Sequence, residues 1–269
     1  LDLNKKLEDI SFCSLDLETT GVNPAIHRIV EIGVSRFKIN GDYETFSTLV
    51  DPCVAIPAGV VNIHGITDDM VAGRPRIEEV LDELTAFIDD AVLVIQNPRF
   101  DLSFLSRAYL NAWKRVPSLA ALDTVRLAQK YFTGLVNHKL STLSCHLGLN
   151  LASHRALDDS IACMSVFLEV MRGRGLTGLS TLRDVIRIHG DFVRPGIKIE
   201  RSRGVEVWKT ISIGEKVSIK YLDSDGKVTR RSILPKEFIN YGRKNYILAH
   251  CFLRDSERCF LTNRIIGID

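Results

Sequence analysis

The chain has 269 residues, 45% hydrophobic and 25% charged, a balance that excludes a disordered polypeptide and allows a substantial core. Its formal net charge of +2 conceals an asymmetry: residues 1–175 carry 17 Lys and Arg against 22 Asp and Glu, and residues 176–269 carry 18 against 11. A net of −5 followed by +7 implies two modules with different jobs, the second suited to a polyanion.

The N-terminal run Asp2–Asn4–Lys5–Lys6 is polar, so no signal peptide is expected. Residues 10–18 alternate in the manner of a strand, and residues 28–39 and 43–50 read as two more, with a turn at Gly41-Asp42 between them. Residues 76–89 place Ile77, Val80, Leu81, Leu84, Phe87 and Ile88 on one helical face. Residues 91–96 form a short buried strand and residues 100–113 a helix after Pro98. Three more helices follow at 124–131, 140–147 and 155–171. This order implies an α/β fold, a mixed sheet covered by helices, over residues 1–175. Residues 176–204 read as a linker with a weak helical stretch at 182–188, marked by Arg194-Pro195-Gly196 and Arg203-Gly204. From Val205 to Asp269, β-branched runs and a turn at Asp225-Gly226 indicate a compact all-β module. Apolar stretches such as residues 91–95 are too short to cross a bilayer, so no membrane partner is expected. Six cysteines without a CxxC pair argue for free thiols in a reducing compartment, and the expected location is cytoplasmic.

Asp16 and Glu18 end the first strand, directly before Thr19-Thr20-Gly21. Side chains two apart in a strand share a face, so both carboxylates point the same way. Such a pair is costly to ionise unless a cation neutralises it, and divalent metals favour carboxylate oxygens. Asp101 follows the short strand near the start of a helix, where a first-turn acid suits the helix dipole. His154 and Asp158-Asp159 open another helix. Taken singly, these residues read equally well as strand ends, caps or surface groups. Composition and spacing do not choose between Asp158 and Asp159.

The order of these residues resembles the DEDD superfamily of exonucleases, in the DnaQ-like branch with a catalytic histidine shared by proofreading subunits and RNase T. The first motif reads Leu15-Asp16-Leu17-Glu18-Thr19-Thr20-Gly21 and the second Asn97-Pro98-Arg99-Phe100-Asp101-Leu102-Ser103-Phe104-Leu105. The third reads His154-Arg155-Ala156-Leu157-Asp158-Asp159-Ser160, with lesser marks at His64-Gly65-Ile66-Thr67 and Leu122-Asp123-Thr124. The resemblance covers residues 8–173 and implies an RNase H-like fold. It also implies Asp16, Glu18, Asp101 and Asp159 as acids for two Mg²⁺ or Mn²⁺ ions, with His154 as general base. The family's spacing from the histidine selects Asp159, leaving Asp158 as an exposed helix acid and Asp123 as a cap before Thr124. The implied reaction shortens single-stranded DNA or RNA from its 3′ end to nucleoside 5′-monophosphates. Thr19, His64 and Asn97 are candidates to hold the terminal nucleotide, and RNase T-like relatives imply a homodimer. One departure stands out: Gln96 occupies the position where the family usually has His, and altered substrate handling is expected from it.

Tyr246-Ile247-Leu248, followed by Arg254, Arg258-Cys259-Phe260 and Arg264-Ile265, resembles a WYL domain, a small Sm/SH3-like β-barrel. The resemblance implies a module that binds nucleic acid or a regulatory ligand, with Arg254, Arg258 and Arg264 as phosphate contacts. Arg230, Arg231, Arg243 and Lys244 add positive charge. Tyr221, Tyr241 and Tyr246 offer stacking surfaces or core. Two other readings stay open. One is a regulatory nucleic-acid-binding protein with an inactive nuclease fold; the other is a polymerase-associated proofreading subunit.

Overall fold

The computed structural model describes residues 2–112, 114, 116–117, 119–151, 154–195, 210–222, 228–242 and 244–268. The signals read at Trp113, Gly196, Arg203-Gly204, Val205, Asp225-Gly226 and Arg243 lie outside these residues. The chain divides into two compact units, Leu1–Val22 with His27–Pro195, and Gly196–Asp269 with Asn23–Ile26.

The first unit is built on a five-stranded sheet of β1 (Phe12–Thr19), β2 (Ile29–Phe37), β3 (Tyr43–Leu49), β4 (Val92–Ile95) and β5 (Ala121–Asp123), in the order β3-β2-β1-β4-β5. The first three strands pair antiparallel, and β4 and β5 add in parallel beside β1. Helices cover both faces, as a central strand apolar on both sides requires. On one face Cys13, Leu15 and Leu17 pack with Leu81 and Leu84 of α3 (Ile77–Ile88) and Leu102 and Leu105 of α4 (Arg99–Asn111). On the other, Phe12, Phe37 and Val94 meet Val166, Phe167 and Val170 of α7 (Ala156–Gly173). The alternation of β1 therefore assigns Phe12, Ser14, Asp16 and Glu18 to the α7 face.

Two short helices, α1 (Ala58–His64) and α2 (Asp68–Val71), fill the stretch before α3. Neither they nor the three-residue β5 were expected. None of the three is long enough to show a hydrophobic period. The helices at α5 (Thr124–Tyr131) and α6 (Leu140–His146) lie where the sequence placed them. The segment expected as a linker with a weak helical stretch carries that helix, and it is packed. Its helix α8 (Leu182–His189) buries Leu182 and Val185 in the α7-face core, and Val193 bridges Ala121 on the edge strand β5. Its apolar face is what ties it down.

The second unit contains one antiparallel sheet, β6 (Val217–Leu222), β7 (Val228–Tyr241), β8 (Lys244–Cys251), β9 (Ser256–Leu261) and β10 (Ile265–Ile268), ordered β10-β6-β7-β8-β9. Ile219, Ile233, Ile247, Ala249, Cys251 and Phe260 form its core. A register shift between Pro235 and Glu237 bends the long β7, a bulge that accommodates the proline.

Candidate active site

The register of β1 against β2 sets Glu18 opposite Glu31 and Asp16 opposite Gly33. The α7 face of the sheet thus carries three carboxylates at one end before any helix contributes. Parallel pairing of β4 with β1 brings in the fourth: the chain leaves β4 through Gln96 and Asn97, turns at Pro98, and buries Asp101 in the first turn of α4 at 3% exposure. Asn97 adopts a left-handed φ of 55° and His154 one of 62°. Asn and His tolerate this region better than most residues, and both stand at the turns that deliver site groups.

Helix α7 supplies the rest. Glu18, His154 and Asp159 place ligand atoms within 4.8 Å of one another, and the His154 N–H donates to Asp159 Oδ2 at 3.1 Å. Asp158 is not part of that group. The carboxylates raise one another. Burial pushes Asp16 well above the usual range, and the charges of Asp101, Asp159, Glu18 and Glu31 add to it. Glu18 is pushed up to about 7, first by burial and then by Asp159 and Glu31. Burial raises Asp101 strongly against the pull of a hydrogen bond from the Leu17 backbone, and burial also raises Asp159. Clustered acids with elevated pKa values in one place mark a site that awaits positive charge.

The donor set suits a hard divalent cation. The groups whose ligand atoms meet are two carboxylates and one imidazole, with the carboxylates of Asp16 and Asp101 buried beside them, and the neighbouring Cys163 is held as a thiol by burial, donating to the Val94 carbonyl.

The remaining sequence candidates divide. His64 is buried; its Nδ1 accepts from the Ile66 N–H at 2.9 Å, so Nε2 carries the proton. Nε2 misses full hydrogen-bond geometry, though the Thr19 backbone lies near enough to favour the charged ring, and burial outweighs it and lowers the pKa. Thr19 spends its hydroxyl locally on the Gly21 carbonyl, 2.8 Å away. The Asn97 side chain is exposed and makes no hydrogen bond to the described residues. Asp123 caps α5 by accepting from Val125 at 2.9 Å, and it also accepts the Asn97 N–H at 3.3 Å. Gln96 commits both ends of its side chain: its Oε1 accepts from Thr124, and its amide donates to the His138 carbonyl at 3.0 Å. Sequence reasoning missed Glu31. Its signal was a lone acid inside the apolar run Ile29-Val30-Glu31-Ile32, in a strand buried at nearly every position.

Residues 13–167 match the RNase T exonuclease family, more than half of the chain. The chain belongs to that exonuclease family. Residues 206–269 match the WYL domain. This exonuclease is 42% identical over 164 residues to the DNA polymerase III subunit epsilon of Treponema pallidum, covering 60% of this chain and 76% of that one. It is 36% identical over 251 residues to the PolC-type DNA polymerase III of Clostridium perfringens, of which it spans only 17%. Among solved structures, Exonuclease X in complex with 5′ overhanging duplex DNA is 26% identical with a TM-score of 0.51, covering 66% of this chain and 99% of that one. E. coli Exonuclease I in complex with a dT13 oligonucleotide shares the fold at 14% identity and a TM-score of 0.58, covering 89% and 55%. The motifs read from the sequence and these matches agree on a DnaQ-like 3′–5′ exonuclease followed by a WYL domain.

In the second unit, Arg231, Arg258 and Arg264 line one pocket with Tyr221, Tyr246 and Glu257 of the WYL domain and with Asn23 and Ile26, which group with that unit. Arg254 is exposed and is not among the residues lining it. Tyr221 is partly core: its ring meets Phe260 edge-on at 5.2 Å and its hydroxyl accepts from the Leu261 N–H at 3.3 Å.

Proposed function

We propose that the chain hydrolyses single-stranded nucleic acid from the 3′ end to nucleoside 5′-monophosphates, using Asp16, Glu18, Asp101 and Asp159 to hold two Mg²⁺ or Mn²⁺ ions and His154 as general base. The observation that carries this reading is the meeting of the four motif acids and the motif histidine at one end of β1, with every carboxylate raised by its neighbours or by burial. Bound divalent ions supply Lewis acidity to the attacking water and to the departing 3′ oxygen. His154 accepts the water's proton, and the exposure of its residue leaves the ring open to solvent from which that water comes. The Nε2–H of His64, short of full hydrogen-bond geometry, and the amide of Asn97 are suited to the polar groups of the terminal nucleotide.

The WYL domain is proposed to close as an Sm/SH3-like barrel and to bind the strand or a regulatory ligand through the pocket of Arg231, Arg258 and Arg264. Free thiols, buried at Cys13, Cys163 and Cys251 and exposed at Cys53 and Cys145, accord with a cytoplasmic protein. The identity to an epsilon subunit favours a second reading, that the chain proofreads with a polymerase; stable co-elution with a DNA polymerase would support it.

The test is digestion of matched single-stranded DNA and RNA oligonucleotides with Mg²⁺ or Mn²⁺, products identified by mass. Stepwise 3′ shortening with release of 5′-monophosphates is expected. Nucleoside 3′-monophosphates, or shortening from the 5′ end, would defeat the proposal.

A further inference from the structure

Glu31 is 2% exposed, and nothing in the reaction assigned above requires it. Burying a carboxylate beside three or four others is expensive, and an apolar residue of similar size would be cheaper. Its contacts say what that cost maintains. Arg155 donates to it twice over, Nη2 to Oε1 at 2.7 Å and Nε to both oxygens at 3.2 and 3.3 Å. The Ala156 N–H donates to Oε2 at 2.9 Å. Arg155 is the N-cap of α7 but offers no side-chain cap, so an orphan N–H of that helix is satisfied from the neighbouring strand. The rest of the same β2 face is shaped to the same helix end. A Cβ on Gly33 would lie 2.1 Å from the Ala156 carbonyl carbon, and Ser35 Oγ meets Ser160 Oγ at 2.8 Å. Glu31, Gly33 and Ser35 thus form a seat for the first turn of α7. His154, in its left-handed conformation, immediately precedes that seat.

We propose that Glu31 is a positioning residue for the general base: by gripping Arg155 and the Ala156 amide it fixes the turn that aims His154. The proposal rests on the exonuclease reading of the site. Gln at this position keeps an acceptor for Ala156 and loses the ion pair; Ala loses both.

The experiment uses the full chain with Mn²⁺ and a single-stranded oligonucleotide. Glu31→Gln and Glu31→Ala are placed in the wild-type and His154→Ala backgrounds, with amide hydrogen exchange followed at Ala156 to Asp159. Expected in the wild-type background are kcat losses of about 10-fold for Gln and about 100-fold for Ala, with KM changed by less than about 2-fold. Neither substitution lowers kcat further once His154 is gone, and both speed exchange at the α7 N-terminus. An equal loss of kcat in both backgrounds would mean a general structural role and would overturn the proposal. So would wild-type kcat with unchanged exchange. If Glu31→Ala does not fold, Glu31→Gln and Arg155→Met carry the same comparison. Failure of the exonuclease reading looks different: the wild-type chain itself would release no 5′-monophosphates from the 3′ end, while the exchange data still decide whether Glu31 holds the turn.

Discussion

At the end of β1 the first unit crowds carboxylates into partial burial, whereas the second unit sets Arg231, Arg258 and Arg264 around a pocket that Asn23 and Ile26 also line. The first arrangement is strained in the absence of a counterion, because each acid raises the next. The second costs little, since guanidinium groups at a surface remain solvated. Strain kept in a fold is a sign of chemistry, and cheap charge at a surface is a sign of holding. On the proposed reading the same chain separates catalysis from retention, and the separation can be tested from both sides.

The largest effect is expected at the acids. Asp16→Asn should lower kcat on the order of 10³-fold or more, since it removes charge that the transition state depends on. The same change should raise the thermal midpoint of the metal-free protein by a few degrees, because it relieves repulsion worth ~1 kcal/mol. Loss of both activity and stability would show that the cluster is not strained.

Next in size is the pH dependence. Glu18 moves from its ordinary 4.5 to about 7, and Asp16, Asp101 and Asp159 are raised as well. The folded metal-free state then holds protons that the unfolded chain has released, so the cluster's contribution to stability is fully present below the unfolded value near 4.5 and falls as pH rises toward 7. Thermal melts in chelator should show this decline. With Mn²⁺ the added stabilisation should grow over the same interval, because the metal takes the deprotonated acids. A chelated protein that gains stability from this cluster between pH 5 and 7 would contradict the account.

How much of this was legible in the sequence follows from the range of each signal. Asp16 and Glu18 were readable because strand alternation puts them on one face, and α3 because its apolar positions recur at helical spacing. The union of Asp101 with Asp16 depends on β4 adding in parallel beside β1, a tertiary pairing that no local period encodes. The choice of Asp159 over Asp158 came from family resemblance, and the geometry that bears on it is the Glu18–His154–Asp159 cluster. Residues 182–189 looked weakly helical within a linker because eight residues carry little periodic information; their packing of Leu182 and Val185 decides their place. Gln96 drew attention as a substrate-handling position, and its hydrogen bonds to Thr124 and His138, which no local pattern encodes, tie it to α5 and to the segment before α6.

Smaller effects belong to the second region and to Gln96. Arg258→Ala with Arg264→Ala should weaken oligonucleotide binding about 3- to 10-fold at moderate salt and flatten its salt dependence, with kcat at saturation unchanged. Arg254→Ala, away from the pocket, should change binding by less than about 2-fold by the same reasoning. Equal effects at all three arginines would dissolve the pocket as a site. Gln96→Ala strands Thr124 and the His138 carbonyl, and should cost about 1–2 kcal/mol of stability in denaturant melts with little change in kcat. A large fall in kcat without loss of stability would return Gln96 to the substrate.

The most direct test of the separation is the rate of 3′-nucleotide release from a 5′-labelled single strand in Mn²⁺, compared between wild type and Asp101→Ala, with binding measured on the same samples. The account expects release to vanish in the variant while affinity for the strand persists. Release that survives in Asp101→Ala, or binding that disappears along with it, would contradict the assignment of chemistry to the buried acids and retention to the basic domain.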